Sequence, residues 1–486
     1  MRVLFGLVTC AVLALVPAGR LAAAGSPPCT ITWDGGASGS WHNPANWNPD
    51  RLPGSGDVVC IPAGANVTHS ESTTSVATVL VDGVLSLASG TLTVTSTADP
   101  STIATLDQSA GTLDAAATVL LTGSGGNGSI WTGGRMAGPG TTRVASGATL
   151  DISAGPVSLA AGRSLDVRGT LTWSGGSYIT QGGTASGLFV GSGGLFDITS
   201  DGSTYVPMSI RSGGTLRKSG GSWFTEIGTS LKNGGRIEVL SGTIAVTGPF
   251  RNFSGTTLDG GEYLLRGGAL RFYGANIVTN QASVTLDGAS GGIQDPSGVD
   301  AFVNLARNAP GGSLTLQGGR DMTVPGLFRN EGTLVANAGS TFSVANDAFV
   351  NAAGGLLQGT GTIDANVGSA GEIAPGLSPG ALTILGNYVQ QSDGRLRIEL
   401  TGQMPGTEYD RLVVSGSATL DGRLTIESAP GFLPPVGTQF NILGGLRFGQ
   451  FSSVEGDLLP NGSWYAPIYN PVNVLLIVRR GLSLRR

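Results

Sequence analysis

Four groups of residues in this chain have types and spacings that could do chemistry. Gly376-Leu377-Ser378-Pro379-Gly380 has the G-x-S-x-G form of a nucleophile elbow, where the backbone N–H after the serine holds an oxyanion. Pro379 has no N–H to offer, so the match fails on mechanism and reads as a turn. Gly123-Ser124-Gly125-Gly126-Asn127-Gly128 has the G-x-G-x-x-G form, but no helix follows to hold a phosphate, and 81 glycines make a chance match expected. Neither Lys218 nor Lys232 follows a glycine, so no Walker lysine exists. The acids Asp259, Glu262, Asp287, Asp295, Asp300 and Asp321 are scattered. A glycosidase needs two carboxylates about 5–10 Å apart, and a lyase needs clustered acids for calcium plus a base. Nothing singles out such a set, and no catalytic residue, metal ligand or cofactor is assigned.

The fourth group is aromatic. Residues 29–62 read CTITWDGGASGSWHNPANWNPDRLPGSGDVVCIP, with Trp33, Trp41 and Trp47 between Cys29 and Cys60. The rings could form a platform for sugars, with His42, Asn43 and Asn46 as hydrogen-bonding partners. The better reading is a buried plug at one end of the fold. In an oxidising compartment Cys29 and Cys60 read as a disulfide rather than a zinc site, since His42 and His69 are the only histidines. Such a bond closes a loop of about 30 residues and contributes roughly 3 kcal/mol.

That compartment is itself an expectation from the N-terminus. Met1-Arg2, an apolar run over residues 3–16, Pro17 and Ala22-Ala23-Ala24-Gly25 have the form of a secretory signal peptide spanning 1–24. The run is shorter than the roughly 20 residues that cross a bilayer, so no transmembrane segment is expected in the mature chain. Cleavage removes Arg2 and Arg20 and no acid, taking the formal charge from −5 to −7. No basic surface is left for nucleic acid or anionic lipid.

The elements that must position these residues are strands. Glycine interrupts most segments before three helical turns could form. Short β-branched pieces recur instead, such as Thr91-Leu92-Thr93-Val94 and Thr243-Ile244-Ala245-Val246. A Gly-x-apolar unit begins at Gly90, Gly111, Gly169, Gly214, Gly235, Gly332, Gly361 and Gly380, with neighbouring members often 19 to 21 residues apart. Trp131-Thr132-Gly133-Gly134 returns 42 residues later as Trp173-Ser174-Gly175-Gly176, and Lys218-Ser219-Gly220-Gly221 stands near the next double period. A period of about 20 residues is a solenoid signature: one unit cannot bury its apolar side chains, but a stacked neighbour covers them. The expected fold is all-β, a single-stranded right-handed parallel β-helix of the pectin-lyase-like kind. Roughly 16 coils at about 4.8 Å give a rod on the order of 75 Å.

Open solenoid ends invite edge-to-edge association, and both ends here differ from the middle. The expected division is a Trp-rich N-terminal cap at 25–62, the β-helix at 63–392 and a C-terminal cap at 393–486. The last of these carries Phe432, Phe440, Phe448, Phe451, Trp464, Tyr465 and Tyr469.

The stretch from Glu372-Ile373-Ala374-Pro375-Gly376 through Gly386-Asn387-Tyr388, Leu396-Arg397-Ile398-Glu399-Leu400 and Glu408-Tyr409-Asp410-Arg411 resembles the final coils of bacterial surface β-helix proteins. Autotransporter and filamentous-haemagglutinin-like passengers are among these. The opening W-D-G-G…W…N-W phrase resembles the N-terminal segment of exported bacterial β-helix proteins. The resemblance implies that Glu399, Tyr409 and Asp410 belong to a stabilising, autochaperone-like cap. The residues after this stretch lack the many ten-residue alternating strands of a translocator barrel, so none is expected. The expected function is that of a secreted or cell-surface, adhesin-like structural protein whose partners are cell-surface or extracellular matrix components, polysaccharide included. The alternatives are a polysaccharide lyase or glycoside hydrolase on a β-helix, or a carbohydrate-binding accessory protein.

Overall fold

The structure, a computed structural model, describes residues 27–183 and 185–481; the expected signal segment, 1–24, lies outside them. Strand makes up 55% of the chain and helix 1%, and the strands stack as a parallel β-solenoid of about 15 turns. A coil has three strand positions, two of them joined into one long strand in places such as Thr78–Leu87. Thr141–Val144, Thr149–Ile152 and Val157–Ala160 pair in parallel with Ser164–Val167, Thr170–Trp173 and Tyr178–Gly182 of the next coil. These three positions define a first, second and third face. The strands alternate, so in Thr149–Ile152 Leu150 and Ile152 are buried while Thr149 and Asp151 face outward.

Stacking turns the alternation into columns. On the second face Leu150, Leu171, Phe196, Leu216, Ile237, Tyr263, Val284, Leu314 and Leu334 are successive partners, one per coil. All are buried. This continuous column supplies the burial that no single coil could achieve alone. Gly111 shows why glycine precedes the strands: it has φ +65°, and a Cβ there would stand 2.8 Å from the Gly90 carbonyl oxygen of the coil before.

The Gly-x-apolar unit does not mark one face. Gly169, Gly214, Gly235 and Gly332 lead into second-face strands, whereas Gly90 and Gly111 lead into the third-face strands Thr91–Val94 and Thr112–Ala115. Any inward strand after a tight corner meets the same physical demand, which explains why the period is loose. The tryptophan phrase keeps its register. Trp173 lies between Ile152 and Ile198, and Ile198 pairs in turn with Lys218. Lys218 is fully buried in that column, and its ammonium reaches the Ser200 and Gly220 carbonyls and Asp201 Oδ1 at 3.0, 2.8 and 2.8 Å.

A second internal ladder is polar. Asn280, Asn308, Asn330 and Asn351 are buried on the first face, each Nδ2 donating to the next Oδ1 at 3.0, 2.9 and 2.9 Å, before Asn351 reaches Ser369 Oγ. Asn308 and Asn330 also donate to the Thr333 and Leu356 carbonyls, so these amides are satisfied by the stack itself.

Parallel stacking crosses both expected cap boundaries. It begins with Ile31–Trp33 on Val58–Ile61 and reaches Ser453–Glu455 on Arg423–Ser428. Antiparallel pairs join it at either end. Ile31–Trp33 also pairs with Trp47–Asn48, and Asn473–Arg479 lies between Gln439–Gly449 and Trp464–Asn470.

Candidate functional site

The N-terminal aromatics are a packed cluster. Trp33, Trp41 and Trp47 are at most 3% exposed. Trp47 packs edge-to-face against both, at 5.2 and 5.0 Å between ring centres. Antiparallel pairing brings Trp33 opposite Trp47, and Trp47 Nε1 donates to the Trp41 carbonyl at 2.8 Å. Asn43 shapes the intervening turn by accepting from the Ala45 amide, and Asn46 Nδ2 ties it to the Ser40 carbonyl. His69 packs against Trp41 and His42, and burial pushes its imidazole pKa down. None of these three indoles has a face open to a sugar, while Asn43 is exposed and His42 partly so. The Cys29–Cys60 disulfide closes the segment, with Cα atoms 5.8 Å apart. Arg51 adds a two-pronged ion pair to Asp57, whose carboxyl it holds well below the usual carboxylate range.

At the other end Asp410 is buried, with Oδ1 accepting from the Gly380 amide at 2.8 Å and Oδ2 from the Glu399 amide at 2.9 Å. Burial outweighs these two bonds and, with the Glu399 carboxylate nearby, pushes its pKa up to about 7. Tyr409 is buried against Phe440, and its hydroxyl accepts from the Asn441 amide. Glu399 pairs with Arg397 at 2.8 Å, inside a set that also joins Glu372, Arg395 and Glu427. Asp410 and Tyr409 therefore hold three segments together: the 376–380 turn, Arg395–Leu400 and Gln439–Gly449.

That contact bears on the Gly376–Gly380 turn. The first backbone N–H after Ser378 is that of Gly380, and it donates to Asp410. The scattered acids also find local partners: Glu262 pairs with Arg236, Asp287 with Arg266, and Asp300 with Arg320. Among the described residues no three His, Cys, Asp or Glu side chains come together as a metal-binding group.

Outward-facing aromatics gather elsewhere, on the third face. That sheet has 11 strands, from Thr73–Val76 to Gly292–Gln294. Tyr178, Tyr205, Trp223, Phe224 and Tyr273 stand in or beside its later strands, with exposures from 39% at Tyr205 to 72% at Trp223. Four strand steps separate Tyr178–Gly182 from Ala269–Phe272, a span of about 19 Å along the axis. Tyr178 and Tyr205 stack at 6.4 Å with ring planes 17° apart. Tyr205 lies over Gly228, where a Cβ would sit 2.5 Å from the ring. The Arg271 guanidinium lies 5.3 Å over the Phe224 ring.

Polar groups are set between the rings. Glu226 accepts from the hydroxyls of Ser203, Tyr205 and Thr247, at 3.3, 3.3 and 2.8 Å. Arg271 donates to Gln294. Beside Tyr273, a recess of about 440 Å³ is lined by Thr247, Pro249, Arg251 and Phe253. Among the described residues neither Arg251 nor Arg271 has an ion-pair partner.

Sequence reasoning missed this strip. Its aromatics carry a weak signal: Tyr178 and Phe224 each stand next to an inward residue, Ile179 and Thr225, which sets them on the outer face. Tyr178 aligns with Ser203 and not with Tyr205, so no fixed period links the rings. No protein-family model and no curated protein sequence matches the chain.

Proposed function

We propose that this protein is a secreted or cell-surface structural protein, adhesin-like in that it acts by presenting a long rigid surface rather than by turning over a substrate. The supporting observation is the uninterrupted stack of about 15 coils. Inside it, aliphatic and asparagine columns run from coil to coil. Outside it, many charges are spent on one another along the axis, as in Asp197–Arg217 and Arg236–Glu262. Such a stack is stiff because each strand is bonded on both sides.

In this reading the tryptophan cluster behind Cys29–Cys60 and the antiparallel strands at 439–479 are caps that hide the solenoid's edges. The C-terminal part acts like the terminal coils of autotransporter passengers, with Glu399, Tyr409 and Asp410 as the pins. Residues 1–24 direct export, and the partners are cell-surface or matrix components. Fractionating the producing culture tests this: the protein is expected in the medium or on the cell surface, without residues 1–24. Recovery from the cytoplasm with that segment intact overturns the reading. So does release of reducing ends or unsaturated uronates from polysaccharides by the purified protein.

A further inference from the structure

We infer that the outer third face, from Tyr178 to Tyr273, is a binding site for a linear polysaccharide laid along the solenoid axis. The proposal rests on the extracellular reading for where the ligand is met, and on the geometry for the binding itself. A pyranose presents a face of C–H groups, which sits well on the electron-rich face of an aromatic ring. It also presents a rim of hydroxyls that need partners. The strip supplies both. Tyr178, Tyr205, the Trp223–Phe224 pair and Tyr273 provide apolar surface at four of five successive rungs, and Ser203, Glu226, Thr247 and Gln294 lie among them.

The repeat favours an extended chain. Rungs of the sheet recur at about 4.8 Å, close to the rise per sugar of an extended β-linked polymer. The span of about 19 Å suits a short run of sugars in register with the rungs. The seating of Tyr205 over Gly228 keeps its ring low against the sheet, as a flat platform requires. A protein partner would be expected to meet a contiguous apolar centre, whereas here the rings are separated by hydroxyls and a carboxylate.

Charge refines the ligand. The mature chain would be acidic, but this end of the face carries Arg271, and Arg251 lies around the corner in the recess beside Tyr273, with no carboxylate paired to either. Glu226 is engaged by three hydroxyls. A polymer bearing carboxylates is therefore favoured over its neutral counterpart at the Tyr273 end.

Affinity electrophoresis of the purified mature chain through mannuronan and through glucomannan tests this. Both polymers are β-1,4-linked; the first carries a carboxylate on every sugar and the second none. Both are expected to retard the protein, mannuronan more strongly. Trp223→Ala combined with Tyr205→Ala should weaken retardation at least tenfold in both gels, and Trp223→Ala alone should weaken it measurably. Arg251→Ala should act on mannuronan only. Phe448→Ala removes an exposed ring outside the strip and should change nothing. Melting curves of the ring variants should match the parent, since these side chains face solvent. No retardation in either gel, or retardation that the ring variants leave intact, overturns the proposal. Because the assay uses purified protein, its failure leaves the extracellular reading standing, and a cytoplasmic location would leave the binding result standing.

Discussion

The N-terminal cluster and the third-face strip use the same residue types to opposite ends. Trp41 and Trp47 are fully buried, edge-to-face, with the Trp47 indole N–H bonded to backbone. Trp223 and Tyr273 are 72% and 67% exposed, with polar neighbours and, close by, arginines that have no carboxylate partner among the described residues. The first arrangement has its free energy in packing, because water has been removed from the rings on folding. The second leaves apolar area in water, and exposed rings gathered on one face among polar groups are characteristic of a surface that meets a ligand. Residue type alone therefore does not tell plug from platform; register does.

The contrast is measurable. Trp47→Ala should cost about 3–5 kcal/mol, because it empties a closed site between Trp33 and Trp41; chemical denaturation followed by tryptophan fluorescence reads this. Cys60→Ser should cost roughly 3 kcal/mol by freeing the loop back to Cys29. The loss should be largest for probes at the N-terminal end, since distant coils do not touch it. A transition that moves uniformly along the rod would contradict this local character.

Acid should act on the cluster and spare the strip. Burial lowers the His69 pKa from the ordinary value of 6.5, so the unfolded chain binds a proton that the folded chain resists. The corresponding stability is present above pH 6.5 and is lost as pH falls below it toward the folded value. His69→Gln should flatten that dependence in melting curves taken between pH 7 and 5 (about one unit either side of an ordinary imidazole pKa). Asp410 has the opposite sign. Its pKa is raised to about 7, so its contribution is full below the ordinary carboxylate value of 3.8 and is lost as pH rises through 7. Asp410→Asn should remove that slope while keeping one amide contact.

The smallest effects on stability belong to the strip. Trp223→Ala should change the folding free energy by no more than about 0.5 kcal/mol. Gly228→Val should be similarly mild, because the Tyr205 ring can swing outward. It should nevertheless weaken polysaccharide retardation, since the ring no longer lies flat.

Much of the fold was legible because it depends on local demands repeated many times. Thr170–Trp173 and Thr215–Lys218 each put an apolar side chain inward one residue after the corner, and the tight corner asks for glycine. The disulfide was legible because Cys29 and Cys60 bracket one segment. The asparagine ladder was not, since each asparagine is unremarkable until 21 to 28 residues of intervening chain bring the next one beneath it.

The sequence by itself determined that apolar residues would alternate along short strands and that coils would stack to cover them. The tertiary structure decided which aromatics are core and which are surface. Trp173 precedes Ser174-Gly175-Gly176 and is fully buried; Trp223 follows Gly220-Gly221-Ser222 and is the most exposed ring of the strip. The phrases are close in composition. What separates them is place in the coil: Trp173 ends a second-face strand at an inward position, whereas Trp223 stands in the corner before Phe224–Ile227, and that is settled only when one coil lies down on another.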